Sequence, residues 1–423
     1  MVNKPLLGCI ADDFTGGTDL ASTLVASGMR TLQVIGVPRE PVPADIDAIV
    51  IALKTRTQPA GEAVADSLAA LDWLKAAGCR QFFFKYCSTF DSTPEGNIGP
   101  VADALLAALE CRFALACPAF PANQRTLYQG YLFVGELLLS ESGMRHHPLT
   151  PMTDANLVRV LQRQTARSVG LVPWHTVSRG APAIRAAFDQ LEQAGHGYAI
   201  VDALDDGHLR AIGEAAAGHR LITGGSGVAL GLAENFRRAG LLGDNRQAGA
   251  LPGLEGPSAV LSGSCSLATN AQVEHWQRHR PSFQLDPLRL AEGRDLVAEA
   301  LAWAAPLVAR EPVLIYGSAR PEQVRAAQEQ LGAARAGELV EQALSRIAVG
   351  LRELGVSKLV VAGGETSGAV VKALEVRALR IGTLIDPGVP WTRTLGDRPL
   401  LLALKSGNFG SVDFFEKALG RVE

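Results

Sequence analysis

Short, continuous apolar runs, each followed by a stretch with helical spacing, constrain this chain more than any other feature. LLGCI at 6–10, TLQVIGV at 31–37, AIVIAL at 48–53, QFFFKY at 81–86 and FALACPA at 113–119 read as strands. Between them DLASTLVASGM at 19–29, AVADSLAALDWLKAAG at 63–78 and VADALLAAL at 101–109 read as helices. A strand with one wet face alternates apolar and polar residues. These runs do not alternate, so both of their faces must be covered, which predicts a mostly parallel sheet flanked by helices.

Residues 130–180 are less regular, with a helix expected from Asn156 to about Thr165 after the acidic start at Asp154. YAIVDAL at 198–204 and HRLITG at 219–224 restore the strand rhythm, and GVALGLAENFRRAG then reads as a helix. GLLGDNRQAGALPGLEGP, at 240–257, has no periodicity and reads as a connector. A second alternating unit follows, with strands expected at 258–263, 312–318, 358–364, 378–385 and 401–407. Its helical patterns occupy 293–309, 321–354 and 367–374. The expected fold class is α/β: two α/β domains with mostly parallel sheets, over 1–240 and 258–423, joined by a linker at 241–257.

Composition narrows the function. Hydrophobic residues make up 47% and charged residues 20%, which supplies sizeable cores and excludes a mostly disordered chain. Forty Lys and Arg against 43 Asp and Glu give a net charge of −3 with no long basic block, so no nucleic-acid partner is expected. No apolar run is long enough for a membrane span, and MVNKPLLGCIADD lacks the apolar core of a signal peptide. The six cysteines form no CxxC pair and mostly sit in apolar runs, which suits reduced thiols and a cytoplasmic location. The histidines show no metal-ligand spacing, and no protein-held metal site is expected.

Three glycine loops follow strands of the second unit: SGSCSLATNAQ at 262–272, GGETSGAVVKAL at 363–374 and KSGNFGSVDFFEKAL at 405–419. Ligands of open α/β sheets bind beyond the strand C-termini, and glycine lets backbone approach them closely. Helix N-termini there suit phosphate, so three such loops point to a polyphosphate ligand. Neither standard nucleotide fingerprint is present: GGETSG lacks the P-loop lysine, and GSGVALG at 225–231 is one residue too long for a dinucleotide loop. Gly225 and Ser226 are instead read as a second anion or substrate loop.

In the first unit Asp12 and Asp13 leave the first strand before TGG. One could approach substrate hydroxyls while the other caps a helix or binds metal-held water, or both could be an ordinary strand exit. Lys54, Arg56 and Lys85 lie at or near strand ends, and Lys85 follows three phenylalanines. A cation in that setting needs a partner. An acidic substrate or a structural ion pair would equally serve.

The runs IADDFTGGTDLAS, ALKTRT, FFFKYCSTFDSTPEGNIGP, GYLFVGELLLSESGMRHHPLTPMTDANL, ITGGSG, LSGSCSLATNAQV, VVAGGETSGAVVKAL and LALKSGNFGSVDFF resemble the four-carbon acid sugar kinase family over nearly the whole chain. The LLSESGMRHHPLTPM run favours its 3-oxo-tetronate branch. The resemblance implies an N-terminal sugar-binding domain, a C-terminal nucleotide-binding domain and an active-site cleft between them. It implies that Asp12, Asp13, Arg56 and Lys85 line the acid-sugar side. Ser264, Gly363, Gly364, Glu365, Thr366 and Gly407 would then surround ATP.

The implied reaction is phosphorylation of the C4 hydroxyl of 3-oxo-tetronate by ATP with Mg²⁺, with threonate or erythronate as the alternative acceptor. Asp12, then Asp13, is the expected proton acceptor, and a homodimer is the default assembly. A non-catalytic acid-sugar-binding module and a carboxylate-activating ligase are the competing readings. The first would lack a nucleotide site, and the second would release either AMP with pyrophosphate or ADP with phosphate.

Overall fold

Residues 4–38, 40, 43, 45–147, 149–319 and 321–420 are described by the structure, a computed structural model. Residues 1–3 and 421–423, the ends of the two expected domains, and Pro148 of the LLSESGMRHHPLTPM run lie outside the described residues. The chain divides into two units, Met1–Gly249 and Ala250–Glu423. Both are α/β units with mostly parallel sheets.

The first unit is built on eight parallel strands in the order Thr31–Ile35, Ala48–Ala52, Leu7–Ala11, Gln81–Lys85, Leu221–Gly224, Ala114–Cys117, His196–Val201 and Ser168–Val172. Register decides where chemistry can gather. Ala11 pairs with Ala52 and Lys85, and Lys85 pairs with Gly224. The segments that follow these strands therefore emerge at one end of the sheet, where α/β folds bind ligands. Phe82, Phe83 and Phe84 are all buried, as both-face coverage requires. Phe84, Tyr86 and Phe90 continue the core in edge-to-face contacts. The irregular region after residue 124 forms a small antiparallel sheet of Arg125–Tyr128, Tyr131–Val134 and Leu137–Leu138. Buried Asp202 anchors it, accepting from the backbone N–H of Gln129, Gly130 and Trp174. Such a tie spans too much sequence to be visible as a local pattern.

The second unit orders its strands Ser282–Gln284, Val313–Tyr316, Ser258–Ser262, Lys358–Ala362, Leu401–Lys405, Val389–Thr394 and Ala378–Asp386. Val389–Thr394 runs antiparallel to both neighbours, and its turn from Asp386 passes through Gly388 at φ 78°. Val260, Trp276, Leu314, Val360, Trp391, Phe414 and Phe415 belong to its buried core. Two expectations change here. The helical pattern at 321–354 is two helices, Pro321–Leu331 and Ala333–Glu353, broken at Gly332, whose φ of 80° is left-handed. The helix expected from 367 begins three residues earlier, at Gly364. Among the described residues no helix is long and apolar enough to cross a membrane.

Candidate functional site

At the strand ends of the first unit, one guanidinium gathers three carboxylates. Asp12 follows the first strand, and its backbone carbonyl accepts from the N–H groups of Thr55 and Arg56 at 2.9 and 3.2 Å. That brings the Arg56 side chain back onto Asp12, where Nε and Nη2 donate to the two carboxylate oxygens at 2.8 and 2.9 Å. Nη2 also reaches Asp13 at 2.7 Å, and Nη1 lies 3.9 Å from Asp91. Burial alone would push Arg56 down, but the hydrogen bonds and charges of Asp12 and Asp13 more than reverse it, leaving its pKa above the ordinary value. Buried Asn97 fixes the loop from below, donating to the carbonyls of Thr55 and Gln58. Arg56 thus has structural ion-pair partners, which puts it on one side of the alternative left open by the sequence. Its Nε and Nη2 donors face Asp12 and Asp13, while Nη1 has only Asp91, at 3.9 Å.

Asp13 differs from Asp12 in kind. It caps the helix Phe14–Ala26, accepting from Gly16 N–H at 2.9 Å. Its side chain is 28% exposed, against 4% for Asp12. Burial pushes the Asp13 carboxyl above its ordinary pKa, and the neighbouring Asp12 charge adds to this. Arg56, Lys85 and the Gly16 N–H pull it back. Asp12 has both oxygens in hydrogen bonds to Arg56, whereas Asp13 shares Arg56 and is the more accessible of the two.

Lys85 is 4% exposed, yet its ammonium makes no hydrogen bond and no ion pair within 4.0 Å among the described residues. Its ammonium rests against Gly16, in space that a Cβ there would fill. Asp13 and Asp19 are charges near this ammonium, yet neither is within ion-pair distance, so it retains capacity for an anion. Lys54 is exposed. The Gly225 N–H donates to the Cys117 carbonyl, and a Cβ on Gly225 would meet the Pro118 carbonyl at 2.6 Å. Gly225 is thus needed for close backbone packing against the Cys117–Pro118 segment. Ser226 beside it is 1% exposed, with no hydrogen-bond partner for its hydroxyl.

In the second unit Ser264, Gly363, Gly364, Glu365 and Thr366 line one cavity of about 760 Å³. Leu285, Pro287, Leu288, Val324 and Val340 form apolar walls of the same cavity. Gly407 lies behind Ser264, whose hydroxyl occupies the place of a Cβ. Gly363 has φ 128° and donates its N–H to the Lys405 carbonyl, so backbone shape demands glycine there. Around Gly364 an added Cβ would meet no protein atom within 4 Å. The helix Gly364–Ala373 starts without a side-chain cap, and the buried Ser367 hydroxyl in its first turn has no partner. Uncapped N–H groups, open space over Gly364 and an apolar recess beyond fit a nucleoside polyphosphate.

Two further residues of this region were not visible in the sequence. Lys405 is 1% exposed, and its ammonium donates to Thr269 Oγ1, the Ser406 carbonyl and the Gly407 carbonyl at 3.0–3.1 Å. Gly407 also accepts from Ser266 and Thr269 hydroxyls at 2.7 and 2.8 Å. This knot ties the 264–269 and 405–407 loops together. Burial pushes Lys405 down to about 8. Glu341 lines the cavity beside Glu365; burial, then the Glu365 charge and a hydrogen bond with it, raise its carboxyl above the ordinary value. Two carboxyls so placed suit a divalent cation that also takes phosphate oxygens. Among the described residues no group of three or more His, Cys, Asp or Glu side chains could hold a metal ion.

The chain matches a sugar-binding N-terminal domain family over residues 7–232 and a nucleotide-binding C-terminal domain family over 259–415. A 3-oxo-tetronate kinase from Burkholderia multivorans is 63% identical over 417 residues, covering 99% of this chain and 97% of that relative. A crystal structure of a Salmonella typhimurium LT2 protein with a provisional tRNA synthase description is 48% identical. It has a TM-score of 0.92 and covers 99% of both chains. The Haemophilus influenzae protein HI1011 is 44% identical with a TM-score of 0.89, covering 98% of this chain and all of its own.

Proposed function

The chain belongs to the 3-oxo-tetronate kinase family, and from that premise we propose that it transfers the γ-phosphoryl group of ATP to the C4 hydroxyl of 3-oxo-tetronate. The observation that carries this reading is a likeness that runs through both domains, at 63% identity over nearly the whole chain. The C4 oxygen forms its bond to the γ-phosphorus as the bond to the β–γ bridging oxygen breaks. The products are 3-oxo-tetronate 4-phosphate and ADP.

Geometry supports a division of roles. Asp13 is the proton acceptor, ahead of Asp12, because Asp12 has both oxygens in hydrogen bonds to Arg56. Asp13 accepts late, as the hydroxyl becomes acidic on bond formation. Arg56 holds both acids in place. Lys85 takes the substrate carboxylate as the buried cation with no ion pair within 4.0 Å among the described residues. The loops at Ser264 and Gly363–Thr366, with Gly407 behind them, cradle the phosphates. Mg²⁺, when bound, neutralises phosphate charge, and Glu365 and Glu341 are the carboxylates placed to hold it. A cytoplasmic location and a homodimer complete the reading.

The test is a screen of 3-oxo-tetronate, threonate and erythronate with ATP, read by ADP release and phosphorus NMR. A phosphate monoester on C4, made fastest from 3-oxo-tetronate, is expected. An acyl phosphate, or no turnover of any of the three, would overturn the proposal.

A further inference from the structure

Asp19 belongs to no part of the machinery described above, yet it sits among that machinery's loose ends. It lies one turn beyond Gly16 on the helix Phe14–Ala26, so it shares the helix face against which the Lys85 ammonium rests. Asp13 lies one turn before Gly16, so the two carboxylates flank the ammonium along the helix. Their separation is six residues, roughly 9 Å of helix rise. The Ser226 hydroxyl comes in from the neighbouring strand end, two residues beyond the Gly224 that pairs with Lys85. It is close enough to Asp19 to favour the charged form, although it makes no hydrogen bond of normal geometry. Asp19 and Lys85 form no ion pair within 4.0 Å. Burial raises the Asp19 carboxyl above its ordinary pKa, and Ser226 and then Lys85 pull it back. An acceptor, a cation and a hydroxyl thus converge, and among these groups the only protein hydroxyl near the Asp19 carboxylate is that of Ser226.

That pattern matches a 2-hydroxy acid. A carboxylate on Lys85 brings the hydroxyl of the adjacent carbon within reach of one flanking acid, while C4 lies at the far end of the molecule. Asp13 is the acid assigned to C4. We propose that Asp19 accepts a hydrogen bond from the C2 hydroxyl of the acid sugar, with Lys85 and Ser226 as its flanking donors. This makes the chain selective for 2-hydroxy acids. The inference rests on the kinase reading for the identity of the acid, and on this unit alone for the contact.

The experiment compares the parent with Asp19→Asn and Asp19→Ala in the full chain. Asn keeps the shape, removes the charge and retains an oxygen that can accept from the Ser226 hydroxyl. The melting temperature of Asp19→Asn should therefore stay near the parent value. The KM for 3-oxo-tetronate should rise about 10- to 100-fold, the usual loss for a hydrogen bond to a charged group, with the ATP KM unchanged. The analogue lacking the C2 hydroxyl should suffer that loss in the parent and lose little more in the variant. Calorimetric titration of both acids without ATP reads the same contact independently of transfer. Parent protein that binds the acid but forms no phosphate ester would sink the kinase reading and leave Asp19 to the titration. Equal affinity of parent and Asp19→Asn for the 2-hydroxy acid would overturn the Asp19 proposal. So would equal loss of the C2 hydroxyl's contribution in both proteins.

Discussion

Asp12 and Asp13 are adjacent in sequence and differ in surroundings. Asp12 has both oxygens in hydrogen bonds to Arg56, at 2.8 and 2.9 Å. Removing one partner of a buried ion pair strands the other's charge. Asp12→Ala should therefore lower unfolding stability by about 2–3 kcal/mol, a figure reduced because Arg56 is partly exposed. Urea titration reads this directly. Asp13→Asn keeps a good helix cap and should retain most of that stability while lowering kcat by roughly 10²–10⁴-fold. A base must be charged to act, and burial raises the pKa of Asp13 above its ordinary value. The acid limb of kcat should then lie above the ordinary carboxylate range, falling as pH drops through it. Asp13→Asn should flatten that limb. An unchanged limb in the variant would assign the proton acceptor elsewhere.

Loops and helix starts set the next scale. Gly363 and Gly364 look alike in the sequence, but only Gly363 has a left-handed φ. Gly363→Ala should destabilise by about 1–3 kcal/mol from backbone strain. Gly364→Ala should melt like the parent, since its Cβ meets no protein atom within 4 Å, and yet raise the KM for ATP. A parent-like ATP KM would remove this helix start from the phosphate site. Lys405 gives a second handle on the same element. Its pKa lies near 8, lowered by burial, so its ammonium population falls as pH rises above that value. One donor of the knot on Thr269, Ser406 and Gly407 is then lost. The ATP KM should climb between about pH 8 and 9.5 while the acid-sugar KM stays level, and Lys405→Met should abolish the climb. A climb that persists in Lys405→Met would place the titrating group elsewhere.

Across the whole molecule, each ligand is assigned to its own unit, and one thiol can report on that. Cys265 is exposed and lines the cavity proposed for ATP, whereas Cys9, Cys79 and Cys117 are buried. Mg-ATP should slow alkylation of Cys265 in the native protein, and acid sugar alone should not. Mass spectrometry of the labelled peptide separates the outcomes. Protection by acid sugar alone would contradict the division.

The strand and helix rhythm and the three glycine loops are legible in the sequence because each rests on local spacing. Their covering helices and both-face burial follow from the same physics. The family likeness is legible for the same reason, since it is carried by contiguous runs. What only tertiary structure decides is which polar groups are already partnered. Arg56 and Lys85 look equivalent as strand-end cations, but parallel pairing of Leu7–Ala11 with Ala48–Ala52 delivers Arg56 onto Asp12 across 44 residues. The same sheet leaves the Lys85 ammonium with no protein hydrogen bond and no ion pair within 4.0 Å among the described residues. Asp19 reads in the sequence as one more polar position on an amphipathic helix, and Glu341 carries no local signal at all. Burial, register and helix phase turn such residues into a site, because a charge's partner depends on what folding brings within a few ångströms of it.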